Sequence, residues 1–361
     1  PFELQLALRY LRPKRTFVSV ITLISIIGVT LGVAVLIIVI SVMTGFDKGL
    51  RDKILGFNSH LTVKNYGDVP IKDYRQLASI ISSNTHVRAV APFVWQQGFV
   101  ETQPESGEPS YAAQFIRGVD PRAETNISVL TSSVVDGEYN VRGNRILIGR
   151  VFASNYGLRV GDHLAIYSPR DLREMKDART KEEADAVLPD DYEISGIFDV
   201  GYYEYNAAFV VSSLVSAQEL YGMGDTVNGL FVNLDNPYNA NLVRKELSKA
   251  IGGNIYISTW LEENSTFLDA LIVEKNVMFY ILFFIMIVAA FGITSAQITF
   301  VVQKTREIGM LKALGSTSFQ IMSVFLGQSL MVGILGVLSG LGLGMLALHY
   351  RNGFLHLMNK W

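Results

Sequence analysis

The sequence predicts a membrane protein whose fold is α-helical in the bilayer and α+β outside it. Three uncharged apolar runs, at residues 17–43, 277–302 and 319–348, are each long enough to cross a bilayer, which takes about 20 apolar residues. Between the first two runs, short β-rich segments alternate with helical patterns. We therefore expect three transmembrane helices with one large domain between the first and the second.

Basic residues set the predicted orientation. The charges before the first run are Arg9, Arg12, Lys14 and Arg15, opposed by Glu3, and those between the second and third are Lys304, Arg306 and Lys312, opposed by Glu307. Loops enriched in Lys and Arg stay in the cytoplasm. Residues 1–16 and 303–316 are accordingly predicted to be cytoplasmic, and residues 47–270 to lie on the other side of the membrane.

Taken in order, the elements are a cytoplasmic N-terminus and three spans with their connections. The predicted ranges are 1–16 (N-terminus), 17–46 (first span), 47–270 (outer domain), 271–302 (second span), 303–316 (cytoplasmic helix), 317–349 (third span) and 350–361 (start of an outer loop). The outer domain is predicted to have a split α/β part, residues 57–100 and 205–262, with a β-rich insert at 101–204. Three crossings leave the C-terminal end outside, and a fourth span is expected beyond it.

A charged stretch at residues 170–191 joins two predicted strands. Thirteen of its 22 residues are charged. A solvated helical excursion explains this composition, and so does an arm that engages a soluble partner. The candidate contacts of such an arm are Pro169, Leu172, Met175 and Pro189.

Motifs for catalysis are absent from the sequence. It has no G-x-x-x-x-G-K-[ST] phosphate loop and no G-x-S-x-G elbow, and its five histidines have no zinc-ligand spacing. We therefore predict no catalytic residue, no metal site and no cofactor bound by this chain, and no nucleic-acid partner.

Glycines recur every fourth residue in two of the spans. They are Gly28 and Gly32 in the first span, and Gly336, Gly340 and Gly344 in the third. Small residues at this spacing let helix backbones approach closely in lipid. The pattern fits packing within the chain and contact with another subunit equally well.

Two stretches carry a family resemblance. "GVTLGVAVLIIVISVMTGFDKGLRDKILG" (28–56) and "VQKTREIGMLKALGSTSFQIMSVFLGQSLMVGILGVLSGLGLG" (302–344) resemble the LolC/LolE family, the membrane subunits of the lipoprotein-releasing ABC transporter, within the MacB-like and FtsX-like superfamily. The resemblance implies four spans and a periplasmic domain with a porter-like part, in the bacterial inner membrane. The implied partners are two copies of a cytoplasmic ATPase holding ATP and Mg, a second membrane subunit (a paralogue or a copy), the lipoprotein, and a periplasmic carrier chaperone.

The resemblance also implies roles for particular residues. The cytoplasmic segment would be a coupling helix that docks on the ATPase, with an apolar stripe of Ile308, Leu311 and Leu314 and a stop at Gly315. The full set of coupling candidates is Arg306, Glu307, Ile308, Met310, Leu311, Lys312, Leu314 and Gly315. An amphipathic helix lying on lipid is the alternative.

Acyl chains of the lipoprotein would enter a cavity between the first and second spans of two subunits. By position, its candidates are Ile40, Met43, Phe46, Val277 and Met278, for which ordinary lipid contact is the alternative. In the family, a hook in the outer domain recruits the carrier, and residues 170–191 occupy the corresponding place. They are longer and more charged than that pattern, which leaves chaperone recruitment and the LolC or LolE type open.

Two other functions stay open at this point. One is an FtsX-like signalling scaffold that transports nothing and activates a cell-wall hydrolase. The other is a MacB-like efflux component, which usually carries its ATPase on the same chain. A homodimer in which one chain serves both LolC and LolE roles is also consistent with the sequence.

Overall fold

The structure is a computed structural model that describes residues 17–104, 108–178, 189–253 and 255–350. The chain divides into a helical unit, formed by the described residues up to 48 and from 269 onward, and an outer unit of residues 49–268. The predictions for residues 1–16 and 351–361 lie outside the described residues.

Eleven α-helices and ten strands are present in the described part of the chain. The helices are α1 (Phe17–Phe57), α2 (Tyr74–Ser82), α3 (Arg150–Tyr156), α4 (Pro169–Ala178), α5 (Tyr203–Ala208), α6 (Leu214–Leu220), α7 (Ala240–Ile251), α8 (Trp260–Glu263), α9 (Ser265–Gln303), α10 (Thr305–Ala313) and α11 (Ser318–His349). The strands are β1 (Leu61–Asn65), β2 (Val87–Gln103), β3 (Ser110–Val119), β4 (Val134–Gly137), β5 (Arg145–Gly149), β6 (His163–Tyr167), β7 (Asp190–Phe198), β8 (Phe209–Ser213), β9 (Gly229–Leu234) and β10 (Ile255–Thr259).

Three of these helices are long and apolar enough to cross a membrane. Their most apolar windows have mean hydropathies of 3.0 in α1, 2.6 in α9 and 2.1 in α11. The start of α11 is fixed by a capping box, in which the Thr317 hydroxyl accepts from the Gln320 amide and the Gln320 side chain accepts from the Thr317 amide. The predicted class, membrane α-helical plus α+β, is confirmed.

The third span packs closely on the first within the same chain. A Cβ atom at Gly336 would lie 2.6 Å from Val29 Cβ, and one at Gly340 would lie 2.7 Å from Val33 Cβ. Gly344 follows the same line, with Ile37 Cβ 3.2 Å from the position of its missing Cβ. The absence of side chains at these three positions therefore brings the α1 and α11 backbones together.

Gly28 and Gly32 do not take part in such a contact, which corrects the prediction for the first span. Nothing lies within 4 Å of a Cβ built at either position. The reason is that α11 packs on the Val29, Val33 and Ile37 side of α1 instead. Gly28 and Gly32 line a cavity next to α9.

The outer unit is built on one ten-stranded sheet. Its order is β10-β1-β9-β2-β3-β8-β5-β7-β4, and β6 pairs with both β2 and β7. The 17-residue strand β2 connects its two halves, because its first half pairs with β9 and its second half pairs with β3 and β6. The division into an α/β part and an insert at 101–204 stays a prediction, and both parts contribute strands to this sheet.

The core of the outer unit lies where the sheet meets its helices and the end of α1. One cluster joins apolar residues of β2, β3, β5 and β7 to Phe152 of α3 and Leu220 of α6. A second joins the fully buried Phe57, the last residue of α1, to Val119, Leu147 and Phe198. Burial of Phe57 thus fixes the end of the first transmembrane helix in the folded core of the outer unit.

Candidate transport and coupling sites

An apolar cavity of about 270 Å³ lies between α1 and α9 in the helical unit. It is lined by Gly28, Val29, Gly32, Val33, Val35, Leu36, Leu282, Ile285, Met286, Ala289, Ala290 and Ile293. None of these side chains is charged or forms hydrogen bonds. The cavity exists because glycine and alanine stand where larger side chains would fill the space between the two helices.

The residues predicted to receive acyl chains lie next to this cavity and do not line it. Ile40 and Phe46 are exposed, Val277 is exposed, and Met43 and Met278 are half-buried. Ile40 follows the last lining residue of α1 by four residues, and Met278 precedes the first lining residue of α9 by four. The sequence missed the small residues inside the span, because glycine spacing also predicts helix contact and the two readings differ only in which neighbour is nearby.

The segment predicted to couple to an ATPase forms the short helix α10. Lys304, just before it, makes an ion pair with Glu307 in its first turn. At its end Gly315 has φ = +96°, in the left-handed region that favours glycine, and its amide donates to the Lys312 carbonyl at 3.0 Å. The predicted helix stop at Gly315 is confirmed.

The predicted apolar stripe on α10 is not a single outward face, which corrects that expectation. Ile308 and Lys312 line a cavity of about 570 Å³ between α9 and α11, and Leu311 is half-buried. Leu314 is 80% exposed and Met310 is 59% exposed. Because Ile308 packs toward the spans, the apolar surface that α10 leaves exposed consists of Met310 and Leu314. The Arg306 and Gly309 positions are exposed beside them.

The charged stretch at 170–191 begins as helix α4 and ends in strand β7. Ser168 caps α4, since its backbone amide and its hydroxyl both donate to Asp171 Oδ2 at 2.7 Å. Pro169 is the first helical residue, Leu172 is 42% exposed, and Met175 is half-buried. Pro189 is half-buried immediately before β7, while residues 179–188 lie outside the described part of the chain.

The two ends of this stretch are held together by the sheet. Strand β6 precedes it and β7 follows it, and the two pair antiparallel, with His163 opposite Glu193. His163 Nδ1 also lies 2.8 Å from Asp191 Oδ2. Burial, followed by the negative charge of Asp171, raises the pKa of Asp190. The stretch is therefore an excursion from a fixed two-strand base.

A buried ion pair holds the end of α1, and nothing in the sequence singled it out. Arg117 of β3 donates to Glu124 at 2.7 Å, and both side chains are 1% exposed. The other guanidinium nitrogen donates to the carbonyl oxygen of Phe57 at 3.2 Å. Because these residues are far apart in sequence and lack a motif, only the fold reveals that they meet.

Hydrogen bonds extend this group. Glu124 also accepts from the Ser128 hydroxyl at 2.5 Å. The backbone amide of Val129 donates to the carbonyl of Gly56 at 2.8 Å. The two consecutive carbonyls at the end of α1, of Gly56 and Phe57, are thus both bound by the outer unit. Helix-terminal carbonyls have no partner within their own helix, so these bonds satisfy groups that would otherwise be buried without one.

In the described residues no group of His, Asp and Glu is arranged to hold a metal ion. Together with the geometry above, the arrangement is that of membrane helices with an uncharged cavity, a short helix at one end of the spans and a large domain attached at the other end.

Two family models match the chain, one for each part of this arrangement. The MacB-like periplasmic core domain matches residues 22–250, and the FtsX-like permease C-terminal region matches residues 279–359. The chain is therefore a permease of the MacB and FtsX class, with a periplasmic domain and apolar helices of the inner membrane.

Individual relatives define the family more narrowly. Over 350 residues the chain is 32% identical to the lipoprotein-releasing system transmembrane protein LolC of Xylella fastidiosa (strain Temecula1 / ATCC 700964), covering 94% of this chain and 80% of the relative. It is 29% identical to LolC of Neisseria meningitidis (95% and 81% covered) and 25% identical to LolE of Haemophilus influenzae (93% and 79% covered). The chain belongs to the LolC/LolE family of lipoprotein-releasing system transmembrane proteins, as its sequence motifs predicted.

Proposed function

We propose that this chain is the transmembrane subunit of an ABC transporter that extracts acylated lipoproteins from the inner membrane and passes them to a periplasmic carrier. Family membership supports the class of substrate, since the relatives are named for lipoprotein release. The proposed assembly contains a second membrane subunit, which is a paralogue or a copy, and two copies of a separate cytoplasmic ATPase that binds ATP and Mg.

The energetics of the substrate explain why such a machine needs ATP. Each buried CH₂ group holds a lipid anchor in the bilayer by about 0.8 kcal/mol, so three chains of about 15 carbons are held by roughly 36 kcal/mol. Spontaneous release is then negligible. Extraction requires an energy source and an apolar surface that accepts the chains before they reach water.

The observation that carries the proposal is the uncharged cavity between α1 and α9. Its lining is wholly apolar, and the gap is created by Gly28 and Gly32, which have no other packing partner. A flexible acyl chain matches such a lining, and Met286 can adjust its shape to different chains. The exposed Ile40, Met43 and Phe46 would extend this apolar path one turn toward the outer unit.

Coupling to the ATPase is assigned to α10. Its exposed apolar side chains, Met310 and Leu314, would enter a groove of the ATPase, and Arg306 would add a charge contact at the rim. ATP-driven closure would then move the spans, and with them the outer unit. We include residues 169–178 as the candidate contact with the carrier, through the exposed Leu172.

The test is depletion of the chain in its native cell, followed by membrane fractionation of acylated lipoproteins. We expect them to accumulate in the inner membrane, and a wild-type copy to restore their sorting. A copy carrying Gly32→Phe should not restore it, because the ring fills the cavity. Gly292→Phe is the matched control, since Gly292 lies on α9, is exposed and does not line the cavity.

Two results would contradict the proposal. Unchanged lipoprotein sorting on depletion, together with a defect in division or the cell wall, would favour the FtsX-like signalling scaffold. Full restoration by Gly32→Phe would leave release intact while excluding the α1–α9 cavity as the acyl-chain site.

A further inference from the structure

We infer that Arg117, Glu124, Ser128 and Val129 form a clamp that carries motion from the first transmembrane helix to the outer sheet during lipoprotein release. We call these four residues the helix-end clamp. The inference rests on the proposed function, because it concerns how that transporter would convert ATP-driven movement of its spans into movement of its periplasmic domain.

The first argument is where the clamp binds. Helix α1 runs without interruption from Phe17 to Phe57, so any displacement of the span reaches its last residue. The Val129 amide and the Arg117 guanidinium hold the carbonyls of Gly56 and Phe57, the end of that helix. Force along the helix therefore arrives at these two bonds.

The second argument is that the clamp belongs to the sheet. Arg117 is in β3, which pairs along its length with β2 and in parallel with β8. Glu124 and Ser128 stand in the loop that follows β3, and the Asn233 side chain of β9 donates to the carbonyls of Asn126 and Ile127 at 3.0 and 2.6 Å. The clamp thus connects the helix end to both halves of the sheet.

The third argument is the chemistry chosen. A buried ion pair is weak support for stability, since well-packed apolar residues of similar size often serve as well. The guanidinium offers something that apolar residues cannot, which is a directional bond to Phe57 while Glu124 fixes its plane. It also lies over the Phe57 ring, 4.6 Å from its centroid, and over the Phe231 ring at 5.0 Å.

The experiment uses the full chain in complex with its ATPase, reconstituted in liposomes with an acylated lipoprotein and the carrier. The test variant is Arg117→Met with Glu124→Leu, which keeps the volume and removes the bond to the helix end. The matched control is Arg75→Met with Asp225→Leu, an ion pair of 2.6 Å that is exposed on the same unit. Unfolding temperature, ATPase rate and lipoprotein released per ATP are measured for each.

We expect the test variant to fold and to hydrolyse ATP within about twofold of wild type, while release per ATP falls about tenfold. The control should match wild type in all three measurements. Release per ATP at the wild-type level in the test variant would overturn the inference. If that variant fails to fold, Ser128→Ala replaces it, with a smaller fall in release per ATP expected and no fall overturning the inference.

Hydrogen exchange of the Val129 amide separates this inference from the proposed function. We expect the amide to stay protected in wild type through ATP binding and hydrolysis, because the clamp remains closed while it transmits motion. An acceleration of about tenfold on adding ATP would show that the clamp opens, and would overturn the inference even if the complex releases lipoproteins. Absence of release by the wild-type complex with unchanged protection would instead count against the proposed function.

Discussion

Single glycines decide how closely the first and third spans approach. At Gly340 a Cβ atom would lie 2.7 Å from both Val33 Cβ and the Thr30 carbonyl oxygen. We expect Gly340→Leu to destabilise the helical unit by about 1–3 kcal/mol, because the added atoms must push α1 and α11 apart. Thermal unfolding of the detergent-solubilised protein measures this. Gly342→Leu on the same helix is the control, since nothing lies within 4 Å of that position; equal loss in both variants would contradict the packing argument.

A buried histidine next to the end of α1 makes the outer unit sensitive to acid. Burial lowers the pKa of His60 below its ordinary value of 6.5, and its Nδ1 accepts from the Leu234 amide at 2.9 Å. With a folded-state pKa below the unfolded one, His60 contributes stability above about pH 6.5 that is lost as the pH falls through the lowered value. We expect the unfolding temperature to fall on acidification in this window, and to fall less in His60→Gln. Parallel pH profiles for the two proteins would exclude His60 as the cause.

At the scale of elements, the exposed end of α10 is the part that the proposed coupling depends on. We expect the double variant Met310→Asp and Leu314→Asp to lower co-purification of the ATPase about tenfold, because each exposed apolar anchor of an interface contributes on the order of 1 kcal/mol or more. The control is Val215→Asp, an equally exposed apolar residue of the outer unit. Retention of the ATPase in the double variant would favour an α10 that lies on lipid.

The elements also show what the sequence could predict. Long uncharged runs predicted all three apolar helices, since length and composition alone determine them. The stop at Gly315 was equally local, because a left-handed residue after a helical run favours glycine. The direction of Ile308 was not, since the spans around α10 determine which of its faces is covered.

Non-local contacts escaped prediction for a physical reason. Gly28 and Gly336 have the same spacing pattern in sequence, yet one lines a cavity and the other contacts Val29. Which outcome occurs depends on how the helices pack, and this information is not carried by the helix itself. The Arg117–Glu124 pair is similar, because its significance comes from Phe57, 60 residues away along the chain.

At the scale of the whole molecule, the proposed mechanism requires α10 and the outer unit to lie on opposite sides of the membrane. The basic residues around the spans predict this orientation. The chain has no cysteine, so single cysteines report on it without a background. Leu314→Cys and Val215→Cys are suitable because the two side chains are 80% and 61% exposed.

We expect a membrane-impermeant maleimide to label Val215→Cys in spheroplasts with intact inner membranes, and to label Leu314→Cys only after permeabilisation. Labelling of both after permeabilisation is the control for reactivity of the two thiols. Because α9 alone separates the outer unit from α10 in sequence, this pattern requires that α9 crosses the bilayer. Labelling of Leu314→Cys in intact spheroplasts would place α10 outside, where no cytoplasmic ATPase can reach it, and the coupling scheme would fail together with the orientation.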